Sequence, residues 1–314
     1  MNKLAGAVPN KRSLWTKIRQ NSGLYLLLLP AIILTVLFMY KPMYGVIIAF
    51  KEFRPSMGIF GSAWADPWYK HFQTFFESFS FGEILRNTLV ITIYSMIVNF
   101  PLPIMLALSI NQMQSRRFRR VYQTVIYLPH FISTVVMVGL ILMFLSPGSG
   151  LIANLAQLFG AESFPNLMAE SKWFSSIYVW TDVWQHVGWN SIIYIAALSA
   201  VDVTLYEAAA IDGASRFQRL LYIDLPMLIP TAIIMLILSC GNIMNVGFEK
   251  VYLMQNGMNL DVSEVISTYV YKIGIINTRY SYSAAIGLFN NVINFVLLVI
   301  VNKISKKLGD TSLW

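Results

Sequence analysis

Four stretches of this sequence run for more than twenty residues without one Asp, Glu, Lys or Arg: Thr88–Ile110, Val121–Leu145, Leu225–Val246 and Tyr282–Asn302. A helix needs about 20 apolar residues to cross the hydrocarbon core of a bilayer. Inside that core every backbone polar group must be satisfied within the segment, so such stretches predict membrane helices. A fifth stretch, Leu24–Tyr40, is shorter and resumes after Lys41-Pro42 as Met43–Phe50. A sixth, Phe174–Ser199, is weaker, because it contains Asp182, Gln185, His186 and Asn190. The alternation of the other five requires it as a span. Charged residues make up 12% of the chain, against about 25% in a soluble domain. So few charges argue against a soluble enzyme, and the high apolar content excludes a disordered chain. The expected fold is an all-α membrane protein of six transmembrane helices.

Lys/Arg placement sets the orientation of such a chain. The N-terminal tail holds Lys3, Lys11, Arg12, Lys17 and Arg19. The short loop after the second span reads Arg116-Arg117-Phe118-Arg119-Arg120, and the C-terminal tail has Lys303, Lys306 and Lys307. With Arg216 and Arg219 this set totals 14, against 9 on the longer opposite loops, Lys41 included. Both termini are expected in the cytoplasm, and the net charge of +8 reads as a topology signal, not as a nucleic-acid footprint. The first apolar run is too long for a signal-peptide core and lacks a small-x-small cleavage site after it, so it is expected to be retained. The regions that follow are a cytoplasmic tail (1–23), a first membrane helix (24–50), an external loop (51–87), a membrane core (88–303) and a second cytoplasmic tail (304–314). Pro30, Pro101, Pro103, Pro129, Pro226 and Pro230 lie within or beside spans. They point to kinked helices packed in a bundle. One cysteine, Cys240, and three scattered histidines, His71, His130 and His186, spell no disulfide framework and no metal motif.

The most informative cytoplasmic segment, Asp202–Pro226, reads DVTLYEAAAIDGASRFQRLLYIDLP. Thr204 and Glu207 form a T-x-x-E capping box, predicting a helix from about Leu205. Gly213 is a left-handed helix stop. Ser215 and Gln218 form a second capping box, predicting a second helix from Arg216 toward Ile223. Pro226 lies near the start of the next span, where a missing N–H costs little. Helix, glycine turn and helix are thus expected at the cytoplasmic surface. An amphipathic helix resting on lipid is the competing reading. Four acidic residues against two basic ones oppose it on an anionic membrane face. A short helical knob suits a protein socket better.

Glu207-Ala208-Ala209, then Gly213, then nine residues, then Ile223-x-Leu225-Pro226, resembles the EAA loop of binding-protein-dependent ABC importer permeases. Seven fixed residues at fixed spacing arise by chance at roughly 10⁻⁸ per start position. The resemblance implies a type I (MetI-like) permease fold with a coupling segment over 202–224 that docks on a cytoplasmic ATPase. It implies that role for Glu207, Ala208, Ala209, Asp212 and Gly213, with Ile223, Leu225 and Pro226 leading into the next span. Pro42-Met43-Tyr44-Gly45 with Ala49-Phe50-Lys51, Tyr127-Leu128-Pro129-His130-Phe131, Gly247-Phe248-Glu249, Thr268-Tyr269-Val270-Tyr271 and the closing Ser312-Leu313-Trp314 resemble the LplB-like branch, linked to polysaccharide and oligosaccharide uptake. The implied partners are a second related permease, two copies of an ABC ATPase, an extracytoplasmic sugar-binding protein and a carbohydrate substrate. The implied setting is the bacterial plasma membrane. A two-state cycle follows: ATP closes the ATPases, the knobs rock the bundles between inward-open and outward-open, and hydrolysis resets them.

The chain has no G-x-x-x-x-G-K-[ST] phosphate loop. No cofactor is expected in it, and ATP and Mg are expected on the partner ATPase. A sugar path needs flat aromatic faces and hydrogen-bonding side chains around a cavity. Trp180, Asp182, Trp184, Gln185 and Asn190 offer both within one span, and Asn291 sits in a polar stripe with Asn290 and Asn294. Competing readings stand beside this one. Trp near a span end anchors the interface. Asp182 pairs with a cation of a partner subunit or lies near the outer surface. The asparagines hydrogen-bond within the bundle. Glu249 is a candidate contact for the external binding protein or the partner permease. The alternatives are an ABC importer permease for another solute and, from another class, an intramembrane enzyme or a self-contained secondary transporter. The enzyme lacks G-x-S-x-G beside His130, and the carrier lacks intramembrane carboxylates beyond Asp182.

Overall fold

A computed structural model describes residues 20–161, 163–309 and 312–314, so the basic residues Lys3, Lys11, Arg12, Lys17 and Arg19 lie outside the described residues. In chain order the main helices are α1 (Ser22–Phe50), α2 (Lys70–Phe76), α3 (Phe81–Asn111), α4 (Arg116–Phe131), α5 (Thr134–Phe144) and α6 (Leu151–Leu158). They continue as α7 (Ser171–Ser199), α8 (Val203–Ile211), α9 (Arg216–Cys240), α10 (Phe248–Met254), α11 (Ile266–Ile276) and α12 (Tyr280–Gly309). Among the described residues the only β pairing is an isolated antiparallel bridge between Lys51 and Trp64. Four helices, α1, α3, α9 and α12, are long and apolar enough to cross a membrane, and the number rises to six if the bent pairs α4–α5 and α7–α8 each count as one span.

The third expected span, Val121–Leu145, is not a single rod. It bends by 95° between α4 and α5. Pro129 lies at the turn, and Ser133 caps α5 by accepting from the Val136 N–H. The freed carbonyl of Ile132 accepts from Gln185 Nε2 of α7 at 2.8 Å. A polar side chain thus closes a backbone gap that hydrocarbon cannot. The weakest expected span, by contrast, is an unbroken helix of 29 residues, α7.

Two other prolines are absorbed without a break. Residues Val36–Tyr40 and Leu220–Asp224 wind as π-helix, and Pro42 and Pro226 follow two residues later. Proline lacks an N–H, and its ring clashes with the carbonyl one turn back. A widened turn at that point removes the clash and keeps the helix running. The second capping-box helix is therefore not a separate surface element, because it is the first turn of α9 and runs on through this π turn.

Three cores hold the bundle. Phe174, Tyr178, Val179 and Val183 of α7 pack with Met137, Val138 and Ile141 of α5 and with Val251 and Met254 of α10. Phe75, Ile84, Ile266, Tyr282 and Ile286 join α2, α3, α11 and α12. Ala107 and Leu108 of α3, Tyr194 and Leu198 of α7 and Leu228 of α9 form the third. Gly188 lets α7 approach α4 so closely that any Cβ there would strike the Ile126 carbonyl. α1 stands apart: none of Ser22–Met43 is buried, and only its end, Tyr44–Phe50, packs on α12.

Candidate functional site

The segment after α7 turns by 70° into α8. Its cap is Asp202, whose Oδ1 accepts from the Thr204 N–H at 2.9 Å. That hydrogen bond holds the Asp202 carboxyl below the ordinary carboxylate range. The expected T-x-x-E box is not formed, and the helix starts at Val203, ahead of the expected Leu205. Asp wins because its side chain already accepts one of the orphan N–H groups at the helix start. The stop is as expected. Gly213 takes φ +74°, and Ala214 N–H returns to the Ala209 carbonyl at 2.9 Å, a Schellman-type closure. The Ser215/Gln218 capping box is also present, with both reciprocal hydrogen bonds made.

The result is a knob with no buried residue in α8. Glu207, Ala208, Asp212 and Gly213 are exposed and Ala209 is half-buried. Apolar side chains face outward with them: Ile211 is 87% exposed and Phe217 68%. The apolar residues of α8 do not gather on one stripe, as a helix lying on lipid requires. Ile223 and Leu225 are half-buried and Pro226 is exposed at the entry to α9.

Beneath the knob lies a group of polar side chains. Asp224 is fully buried. Its Oδ1 accepts from the Tyr206 hydroxyl of α8 and from Asn111 Nδ2 at 3.2 Å, and its Oδ2 from Gln112 Nε2 at 2.8 Å. Arg119 of α4 donates to the carbonyls of Asn111 and Met113 at 2.9 and 3.1 Å, closing the end of α3. Asn111, Gln112, Gln114, Tyr206, Arg216 and Arg219 border a cavity of about 310 Å³ at this level.

The six residues expected on a substrate path do not come together. Trp180 and Trp184 line an apolar groove of about 340 Å³ with Met137, Phe144 and Ile152, and Trp180 Nε1 donates to Tyr94 Oη at 3.0 Å. Gln185 closes the α4–α5 break. Asn291 is exposed, while Asn290 donates to Asn245 at 2.7 Å and Asn294 accepts from the Met244 N–H at 2.9 Å. Asp182 finds its cation within this chain. Lys250 Nζ of α10 stands 3.6 Å from Asp182 Oδ1, and His186 Nδ1 stands 3.2 Å from the same oxygen. The other oxygen accepts from Asn99 Nδ2 at 3.2 Å. Lys250 also donates to the Tyr178 carbonyl at 3.0 Å and lies over that ring.

Asn190 belongs to a different cavity, of about 320 Å³, between α3, α7 and α9. Thr92, Ser95 and Asn99 line it from α3, Asn190 and Tyr194 from α7, and Ser239 from α9. Pro101 and Pro103 lack N–H groups, so the carbonyls of Ile97 and Asn99 lose their helix donors at this point. Asn99 Oδ1 is buried without a partner, while its Nδ2 is committed to Asp182. The cavity therefore mixes hydrogen-bonding groups with apolar surface from Met96, Phe100 and Met235, the surface a polyhydroxylated ligand needs. Thr92, Ser95, Asn99 and Ser239 were not singled out from sequence. The available signal was Asn99, a polar residue just before Phe100-Pro101 in an apolar run.

Comparison with known proteins places this architecture. Residues 99–310 match the family described as binding-protein-dependent transport system inner membrane component. The polygalacturonan/rhamnogalacturonan transport system permease protein YteP of Bacillus subtilis (strain 168) is 39% identical over 97% of this chain and 94% of its own length. Protein LplB of the same organism is 38% identical over 95% of this chain and 92% of its own. A crystal structure of a bacterial ABC transporter involved in the import of the acidic polysaccharide alginate contains a chain that superposes with a TM-score of 0.85 at 38% identity, covering 94% of this chain and 99% of that one. The chain belongs to the inner membrane components of binding-protein-dependent transport systems, the permease subunits of ABC importers, whose ATPase is a separate subunit.

Proposed function

We propose that this chain is one half of the membrane path of an ATP-driven importer for oligosaccharides released from complex polysaccharides. The observation that carries the coupling half of this reading is the exposed α8 knob, which offers apolar and acidic side chains with no buried residue of its own. Glu207, Ala208, Ala209, Asp212 and Gly213 dock it on a cytoplasmic ABC ATPase, and Ile223, Leu225 and Pro226 join it to α9. Two ATPase copies bind ATP and Mg, a second related permease completes the path, and an external binding protein delivers the sugar. A solved alginate transporter in complex with an alginate pentasaccharide-bound periplasmic protein, 37% identical with a TM-score of 0.85, supports the last partner. Relatives named for polygalacturonan/rhamnogalacturonan transport and for alginate import support the carbohydrate class.

Six spans follow when α4–α5 and α7–α8 are each taken as one crossing, with both termini, the arginine loop and the 202–224 segment in the cytoplasm of a bacterial inner membrane. The regions are then the tail 1–23, first helix 24–50, external loop 51–87, core 88–303 and tail 304–314. The sugar passes the cavity of Thr92, Ser95, Asn99, Asn190 and Ser239, where Asn99 Oδ1 awaits a hydroxyl donor.

Co-purification tests the coupling half. The ATPase should come down with the wild type and be lost on Gly213→Pro, which destroys the left-handed stop. An ATPase retained by that variant overturns the docking role. Transport tests the path: Asn99→Ala should lower sugar uptake about tenfold, the weight of one hydrogen bond at 1.4 kcal/mol. Unchanged uptake and unchanged sugar preference overturn the cavity assignment.

A further inference from the structure

We propose that Asp224 and Tyr206 form the mechanical link that carries movement of the α8 knob into the end of α3. Both are then positioning residues for the coupling of ATP hydrolysis to transport. The inference rests on the reading that α8 docks on the ATPase.

Asp224 is the natural hub. It is fully buried, yet among the described residues no Lys or Arg forms an ion pair with it. An ionised carboxylate only accepts hydrogen bonds, and an under-satisfied one is costly in a low dielectric. Here the donors come from two separate elements: Tyr206 from α8, and Asn111 and Gln112 from the end of α3. Asp224 itself belongs to the π turn in the first part of α9. Three elements thus share one carboxylate. If the knob moves alone, the carboxylate loses a donor. If the three move together, nothing is lost, so the concerted motion is the cheaper one.

The surroundings leave few other routes. α8 has no buried residue of its own, so its orientation depends on its two ends and on half-buried Tyr206 and Ala209, of which only Tyr206 has a side chain that can hydrogen-bond. The end of α3 is in turn tied to α4 by Arg119, which donates to the Asn111 and Met113 carbonyls. α3 then leads upward to Asn99, Ser95 and Thr92 at the polar cavity. One covalently continuous segment therefore runs from the hub to that cavity, its regular helix interrupted at Phe100, just before Pro101.

The test is a complete importer in proteoliposomes, with ATPase and binding protein, scored as ATP hydrolysed per sugar transported. Tyr206→Phe keeps the ring and removes one donor. Asp224→Asn keeps the shape and removes the charge. Each should leave the ATPase bound and hydrolysing while the ATP spent per sugar rises about tenfold, the weight of a hydrogen bond to a charged acceptor. The double variant should be no worse than the poorer single, because both break one link. A merely structural role would lower assembly and leave the ratio of the surviving complexes unchanged. That unchanged ratio in Tyr206→Phe, or losses that multiply in the double variant, overturns the link. Tyr206→Phe alone decides the matter if Asp224→Asn fails to assemble. A wild type that retains no ATPase overturns the docking reading and the link with it, whereas a wild type with bound ATPase and an unchanged Tyr206→Phe ratio overturns the link alone.

Discussion

α1 and α7 are both 29 residues long, and they are opposite in most other respects. α1 has one charged residue, Lys41, and buries nothing before its final segment. α7 carries Asp182, Gln185, His186 and Asn190 and contributes to two of the three cores. Lipid tails are as apolar as leucine, so no hydrophobic force drives one membrane helix against another. Apolar residues serve on both faces, as Phe174, Val179 and Val183 do in the core of α7, so small and polar residues are the ones that report contact with protein. Gly188, Ser191 and Gln185 are buried on α7, while the leucines of α1 face outward.

Four measurements would break or sharpen this contrast. The largest effect is expected at the ion pair that ties α7 to α10. Lys250→Met leaves Asp182 without its amine and should cost about 3 kcal/mol, with much of it recovered in Lys250→Met/Asp182→Asn. Thermal unfolding of the purified complex checks this, and a double variant no better than the single would show that the pair is not the unit. Next is Gly188→Ala, whose methyl meets the Ile126 carbonyl and should cost about 1–3 kcal/mol. Gly23→Ala on α1 meets nothing within 4 Å and should be neutral or slightly stabilising in the same assay. Third, Leu27→Ala on α1, where Leu27 is 79% exposed, should change stability by less than about 0.5 kcal/mol. A larger loss would mean that α1 is packed against something in the assembled importer.

The smallest effect concerns the loop that follows α1. The Lys70 amine, 2.7 Å from Glu52 Oε1, holds the Glu52 carboxyl below the usual carboxylate range. A depressed folded value stabilises the loop above the unfolded value, and that contribution is lost as pH falls through the folded one. Acidification should therefore lower the hydrogen-exchange protection factors across residues 52–76, each rate being taken relative to the intrinsic rate at that pH, and Glu52→Gln should remove that loss of protection. Half-exposed partners keep the effect small.

Local chemistry was legible in the sequence wherever a short stretch determines it. Gly213 and the Ser215/Gln218 box stand where the spacing put them. The T-x-x-E box failed because Asp202, two residues earlier, takes the Thr204 N–H that the Glu207 side chain would need. The break between α4 and α5 had a signal in Pro129 followed by Ser133, hidden inside a run without charges. Asp224 and Lys250 were out of reach for another reason. Tyr206 lies 18 residues from Asp224, and the other partners, Asn111, Gln112 and Asp182, lie more than sixty residues away. Nothing in a local window says that such chains will meet. The same holds for the polar cavity, assembled from single side chains on three helices.

The arginine loop has a consequence for how this sequence can vary. Arg116, Arg117, Arg119 and Arg120 weigh the same in deciding which side of the membrane the loop occupies. They do not weigh the same once the helices are in place. Three are exposed, and Arg119 alone is half-buried, holding the last carbonyls of α3. Lysine can replace the exposed three and keep the orientation, since only their charge is read. At 119 lysine keeps the charge, but its shorter side chain must bring the ammonium to the place where Arg119 Nη2 reaches both carbonyls, and the end of α3 loosens beside Asp224. Drift across this loop should therefore be uneven: three positions free to trade one basic residue for another, and one that is not.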